Sequence, residues 1–167
     1  MALILRPFRP DDEPAALAAH AALAADNFSF LLDHREDMAW TEWIRYNERV
    51  RAGRDLPVDR VRSAFLAADV DGELVGRVSV RFALTEWLAR EGGHIGYGVV
   101  PEFRRRGYAT EILRQAVDLA HAEGVAPILV VCDDDNLGSA TVIERCGGQL
   151  EGRATTGDGS VIRRYWI

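Results

Sequence analysis

Apolar and polar positions change period several times along the chain, and each change marks an element. Ala2 to Phe8 alternate loosely and predict a first strand, after which Asp11 or Asp12 offers an N-cap and Pro14 an early helical residue before the alanine-rich "AALAAHAALAA". From Asn27 to Asp55 the pattern is mixed, but Met38, Trp40, Trp43, Ile44 and Val50 recur at helical intervals and Gly53 ends the run. A hairpin follows. Asp71-Gly72 is a two-residue turn signal, and Leu74, Gly76, Val78, Val80 and Phe82 alternate with Glu73, Arg77, Ser79 and Arg81, so one face is predicted to be polar.

Beyond the hairpin, "TEWLAREGG" predicts a single helical turn and "HIGYGVV" a strand punctuated by glycine. Ala109, Ile112, Leu113, Ala116, Val117 and Ala120 form the apolar stripe of a helix that stops at Gly124. "PILVVC" is apolar on both faces, as a central strand buried on both sides must be, and strand, helix, strand at this spacing is a right-handed parallel unit. A short helix carries Ala140, Ile143 and Cys146 up to Gly147-Gly148, and two strands joined at Gly157-Asp158-Gly159 close the chain.

The helix of the parallel unit is preceded by three consecutive arginines, Arg104 to Arg106, and then Gly107. Adjacent like charges repel, whereas a helix start exposes backbone N–H groups that attract anions, and a glycine there lets an anion approach the main chain. A solvated basic turn is the simpler reading of the loop alone; the alternative is a pyrophosphate site over Arg104 to Thr110. Neither GxxxxGK[ST] nor GxGxxG is present.

Composition narrows the choice. The chain has 167 residues, 48% apolar and 28% charged, which predicts one globular domain over 1–167. A formal net charge of -6 argues against a nucleic-acid partner, because neutralising many phosphates needs a basic surplus. Cys132 and Cys146 lie outside any CxxC and away from histidine at metal spacing, so neither a metal site nor a disulfide framework is expected. The opening apolar run is broken by Arg6 and Pro7, and no stretch is long enough to span a bilayer. A cytoplasmic protein without a membrane partner is the expectation.

Val99-Val100-Pro101 followed by Arg104-Arg105-Arg106-Gly107-Tyr108-Ala109 resembles the V-x-P and [QR]-x-x-G-x-[GA] signature of the GNAT superfamily of N-acetyltransferases. "NLGSATVIERCGG" resembles the family's second block, an asparagine before a short helix closed by glycine, and the order of elements is also the family's. The resemblance implies an α/β fold with a mixed sheet of about six to seven strands, splayed in the middle and flanked by about four helices. It also implies acetyl-CoA as acyl donor. Its pyrophosphate would lie on Arg104, Arg105, Arg106, Gly107, Tyr108, Ala109 and Thr110. Its pantetheine arm would pair like an extra strand with Tyr97, Gly98 and Val99, and Asn136 would touch the arm unless it serves only as a helix cap.

Transfer would run directly to a primary amine, in a small molecule or a peptide, within a ternary complex. Many family members carry a tyrosine seven residues after the asparagine as proton donor to the departing thiolate; Ile143 stands there in this chain. His94 and Tyr97, on the strand that should flank the thioester, are the remaining titratable candidates for catalysis. Ile143 also motivates a rival reading, an acyl-CoA-binding or sensing module that has lost the chemistry. Aromatic residues Phe28, Phe30, Trp40, Trp43 and Trp87 either line the acceptor groove or fill the core. The resemblance leaves a homodimer through the terminal strands open.

Overall fold

The structure, a computed structural model, describes residues 2–167. Strand β1 (Leu3–Pro7) leads into α1 (Glu13–Ala24) and α2 (Trp40–Ala52), and β2 (Ser63–Val70) and β3 (Glu73–Arg81) form the predicted hairpin. Then come β4 (Ile95–Val99), α3 (Tyr108–Ala122), β5 (Leu129–Asp133), α4 (Leu137–Arg145), β6 (Gln149–Thr155) and β7 (Val161–Trp166). All the strands join one sheet in the order β1-β2-β3-β4-β5-β7-β6, antiparallel except where β4 meets β5.

The hairpin turn has Asp71 at φ 53° and Gly72 at φ 88°, the two positive values that match the twist of the flanking strands. The two sheet faces bury separate cores. On one, the α3 stripe of Ile112, Leu113 and Ala116 packs with Val78, Val80, Ile95 and Val130, and Ile143 of α4 joins it. On the other, Ala16, Ala19 and Leu23 of α1 and Trp40 and Trp43 of α2 enclose Phe8, Phe30 and Ala67. Trp43 and Phe30 are fully buried, so these aromatics are core, whereas Trp87 is 54% exposed. The "TEWLAREGG" turn is a short π-helical segment, Leu88–Gly92.

One expectation needs correcting. The middle of the polar face of β3 does not meet water: Arg77 and Ser79 are each only 4% exposed, while Glu73 at its start is exposed. Arg77 donates to the carbonyls of Ser29, Phe30 and Gly96 at 2.6, 3.0 and 3.1 Å and lies over the Phe28 ring. Alternation predicted the strand correctly, but the segment between α1 and α2 folds over its polar side, and three carbonyls satisfy the guanidinium there.

Candidate active site

Parallel strands β4 and β5 are in register only at Ile95 and Val130. His94 reinforces this end, its N–H donating to Leu129 O at 2.7 Å. Beyond that point the strands part, while β4 stays paired to β3 all the way to Val99. The middle of the sheet is therefore a wedge whose β4 wall, Gly96 to Val99, has main-chain groups turned toward an absent neighbour. An extended amide-bearing arm satisfies such an edge. Gly98 keeps this wall thin, because a Cβ on it would come within 2.6 Å of the Phe28 ring.

The wedge opens toward the arginine loop. Arg105 at φ 62° and Gly107 at φ 81° turn the backbone into α3, and a Cβ on Gly107 would meet nothing within 4 Å. Glu111 donates the first helical bond to Gly107 O, and the amides of Arg105, Arg106, Gly107, Tyr108, Ala109 and Thr110 make no bond to another group among the described residues. The three arginines divide their work. Arg104 pairs with Asp26 at 2.9 Å and reaches Val99 O, which ties the loop to β4; Arg106 packs on Phe103 and reaches Glu102 O; Arg105 makes no ion pair or hydrogen bond among the described residues. Unpaired amides, an open concavity and a free guanidinium fit a pyrophosphate.

From β4 to the helix that follows β5, the Tyr97 hydroxyl and Ser139 Oγ share a hydrogen bond of 2.8 Å. Burial raises the Tyr97 pKa well above the usual phenol value, so the hydroxyl keeps its proton at neutral pH. Ser139 was not singled out from the sequence. It lies in the first turn of α4, where a serine after an asparagine looks like capping chemistry. Asn136 does cap this helix, its Oδ1 accepting from the Ser139 N–H at 3.0 Å, which leaves its Nδ2 free for a ligand. Ile143 is fully buried in the core.

His94 is 6% exposed, and its Nδ1 accepts the Leu129 N–H at 2.9 Å. With that lone pair occupied, the neutral ring carries its proton on Nε2 and has no free site to accept another. Burial, with help from Arg81, lowers its pKa below 6.5. The unfolded chain therefore binds more protons than the folded one between the two values, so this contribution to stability is complete above pH 6.5 and is lost as the pH falls. His94→Gln should flatten the fall in thermal stability between pH 7 and pH 5 relative to wild type. An unchanged pH dependence in scanning calorimetry would remove His94 from this role.

Cys132 is buried and its thiol pKa is pushed up to about 11, while the Cys146 thiol donates to Thr110 O at 3.6 Å; neither is an activated nucleophile. Asp134 pairs with Arg153 and Arg163 at 2.6 and 2.8 Å. Among the described residues no cluster of His, Cys, Asp and Glu is arranged to hold a metal ion, and no helix is long and apolar enough to cross a membrane.

Residues 2–149 match the family model described as "Acetyltransferase (GNAT) domain". The chain belongs to the GNAT acetyltransferase family and is an acetyl-CoA-dependent N-acetyltransferase. Similar solved structures share its fold. RimJ of Mycobacterium smegmatis, in complex with CoA-disulfide, is 21% identical over 99% of this chain and 81% of its own, with a TM-score of 0.71. RimL, a ribosomal L7/L12 alpha-N-protein acetyltransferase in complex with coenzyme A, is 18% identical over 100% and 94%, with a TM-score of 0.68. The putative acetyltransferase yncA of Salmonella typhimurium, with its cofactor acetyl-CoA, is 14% identical over 100% and 94%, with a TM-score of 0.65.

Proposed function

We propose that this chain moves an acetyl group directly from acetyl-CoA to a primary amine, with both bound at the wedge between β4 and β5. The observation that carries this reading is the run of unpaired amides around Gly107 beside a gap that ends at the Tyr97–Ser139 hydroxyl pair. The loop Arg104 to Thr110 holds the pyrophosphate, with Arg105 the arginine free to add charge. The main chain of Tyr97, Gly98 and Val99 holds the arm, and Asn136 Nδ2 reaches it from the other side.

Acetyl-CoA supplies a thioester carbonyl for the amine to attack, and its departing thiolate needs stabilisation. Tyr97 and Ser139 are placed to provide it. A buried phenol is a weaker acid than a thiol, so the hydroxyl pair donates a hydrogen bond to the sulfur rather than surrendering its proton outright. With the His94 lone pair engaged, the proton of the amine leaves through water.

Calorimetric titration with acetyl-CoA, with adenosine and free pantetheine as controls, tests the first half of this reading; thiol release across an amine panel tests the second. Saturable binding that needs the pyrophosphate supports the loop assignment, and its absence overturns it. Binding without turnover of any amine would favour the acyl-CoA-binding module that Ile143 suggests.

A further inference from the structure

Arg81 stands four residues beyond Arg77 on the same face of β3, and neither takes part in an ion pair among the described residues. All three nitrogens of Arg77 are occupied by main-chain carbonyls. Those of Arg81 are not. Its Nη1 reaches the carbonyls of Gly92 and Gly93 at 3.4 and 3.2 Å, while Nε and Nη2 make no bond to the protein. No buried side-chain nitrogen is left unpaired among the described residues, so these two nitrogens keep access to the space in front of them.

That space is a cavity of about 190 Å³ lined by Arg81, Ser79, Val50, Phe65, Trp87 and Leu88, with Asp33, Asp59 and Arg60 also on its walls. Neither acid forms an ion pair with Arg81: Asp33 acts on it only at a distance, being taken by Arg60 and by the Tyr46 hydroxyl, and Asp59 is exposed. The cavity adjoins β4 beside the wedge. A Cβ on Gly96, the residue before Tyr97, would lie 3.8 Å from Arg81 Nη1 and 3.9 Å from Arg77 Nη1. Its volume is below the about 300–1,000 Å³ of drug-sized sites, which suits one small molecule rather than a protein surface.

We infer that this cavity is the acceptor site and that it selects a small amine bearing a carboxylate, of the amino-acid class, with the carboxylate held by the free edge of Arg81. The inference rests on the acetyl-transfer reading for the identity of the donor. A guanidinium fork matches a carboxylate in plane, and a cation without a counter-ion at the floor of a half-closed cavity gains more from an anionic ligand than one in open solvent. Trp87, Leu88, Val50 and Phe65 give the cavity an apolar side, so the favoured side chain is apolar too. The amine then lies over Gly96, where a missing side chain leaves it access to the thioester position.

Binding to the protein, with and without saturating CoA, separates this inference from the transfer reading because it needs no turnover. The ligands are the standard amino acids, their carboxamides, phosphoethanolamine and spermidine, followed by calorimetry and by fluorescence of Trp87 against a Trp87→Phe control. An apolar amino acid is expected to bind at least about 30-fold more tightly than its carboxamide, and Arg81→Met to abolish that ratio while Arg81→Lys restores part of it. Tighter binding of spermidine or phosphoethanolamine, equal binding of acid and carboxamide, or no amino-acid binding by protein that binds acetyl-CoA would overturn it. Failure to bind acetyl-CoA would sink the transfer reading instead, and titrations without cofactor would still decide the pocket. If Arg81→Met does not fold, the acid and carboxamide pairs on the wild-type protein decide alone.

Discussion

Gly107→Glu is expected to weaken acetyl-CoA binding by at least about 100-fold, equivalent to about 2.7 kcal/mol. The substitution acts in two ways at one position. It sets a carboxylate in the concavity onto which the unpaired amides open, and a like charge about 4 Å from a phosphate costs several kcal/mol at an effective dielectric near 20. It also places a side chain on a residue held at φ 81°, a strain of about 1–2 kcal/mol for an L-residue. Gly107→Ala separates the two. Open space surrounds its Cβ, so alanine keeps the strain and omits the charge, and it should lose far less affinity. Titration calorimetry with thermal unfolding on both variants measures this, and near-wild-type binding by Gly107→Glu would show that the pyrophosphate lies elsewhere.

The second large effect belongs to the hydroxyl pair. Tyr97→Phe and Ser139→Ala should each lower kcat by about 100-fold, the scale of losing one donor to developing negative charge. The KM for acetyl-CoA should change little, because the loop and the β4 edge are untouched. Combining them should cost little more than either alone, since the two hydroxyls act as one unit. Burial holds the Tyr97 proton beyond the usual phenol range, so the alkaline limb of the kcat profile should show no loss from Tyr97 up to pH 10. A wild-type kcat in Tyr97→Phe would mean that the thiolate is stabilised by another group.

The element order and the glycine turn that opens α3 were legible in the sequence because each depends on local chemistry: period, turn residues, and a glycine at a helix start. Long-range polar contacts were not. Arg6 looks in the sequence like a residue that merely interrupts an apolar run, yet it is 7% exposed and pairs with Asp12 and Asp69, 6 and 63 residues away. Arg77 and Ser79 satisfy the alternation of a solvated strand face, and nothing local says that residues near position 30 cover them. Ser139 meets Tyr97 from 42 residues away, while the position matching the family's tyrosine, Ile143, drew attention to a missing hydroxyl. On the proposed mechanism the hydroxyl stands one helical turn earlier, at Ser139.

The single register pair between β4 and β5 also bears on cooperativity. Strands β1 to β4 and strands β5, β7 and β6 are two hydrogen-bonded blocks that share almost no ladder, although α3 and α4 touch across the seam. On the proposed pairing along Tyr97, Gly98 and Val99, a donor arm would supply rungs that the polypeptide lacks, which would make the acyl donor part of the scaffold. At 100 times its Kd a ligand of the folded state adds about 2.7 kcal/mol to stability. Here that gain should fall unevenly, with amide exchange slowing most along the seam and least in the outer strands β1 and β6. An enzyme built this way becomes a single cooperative unit when it is loaded for reaction.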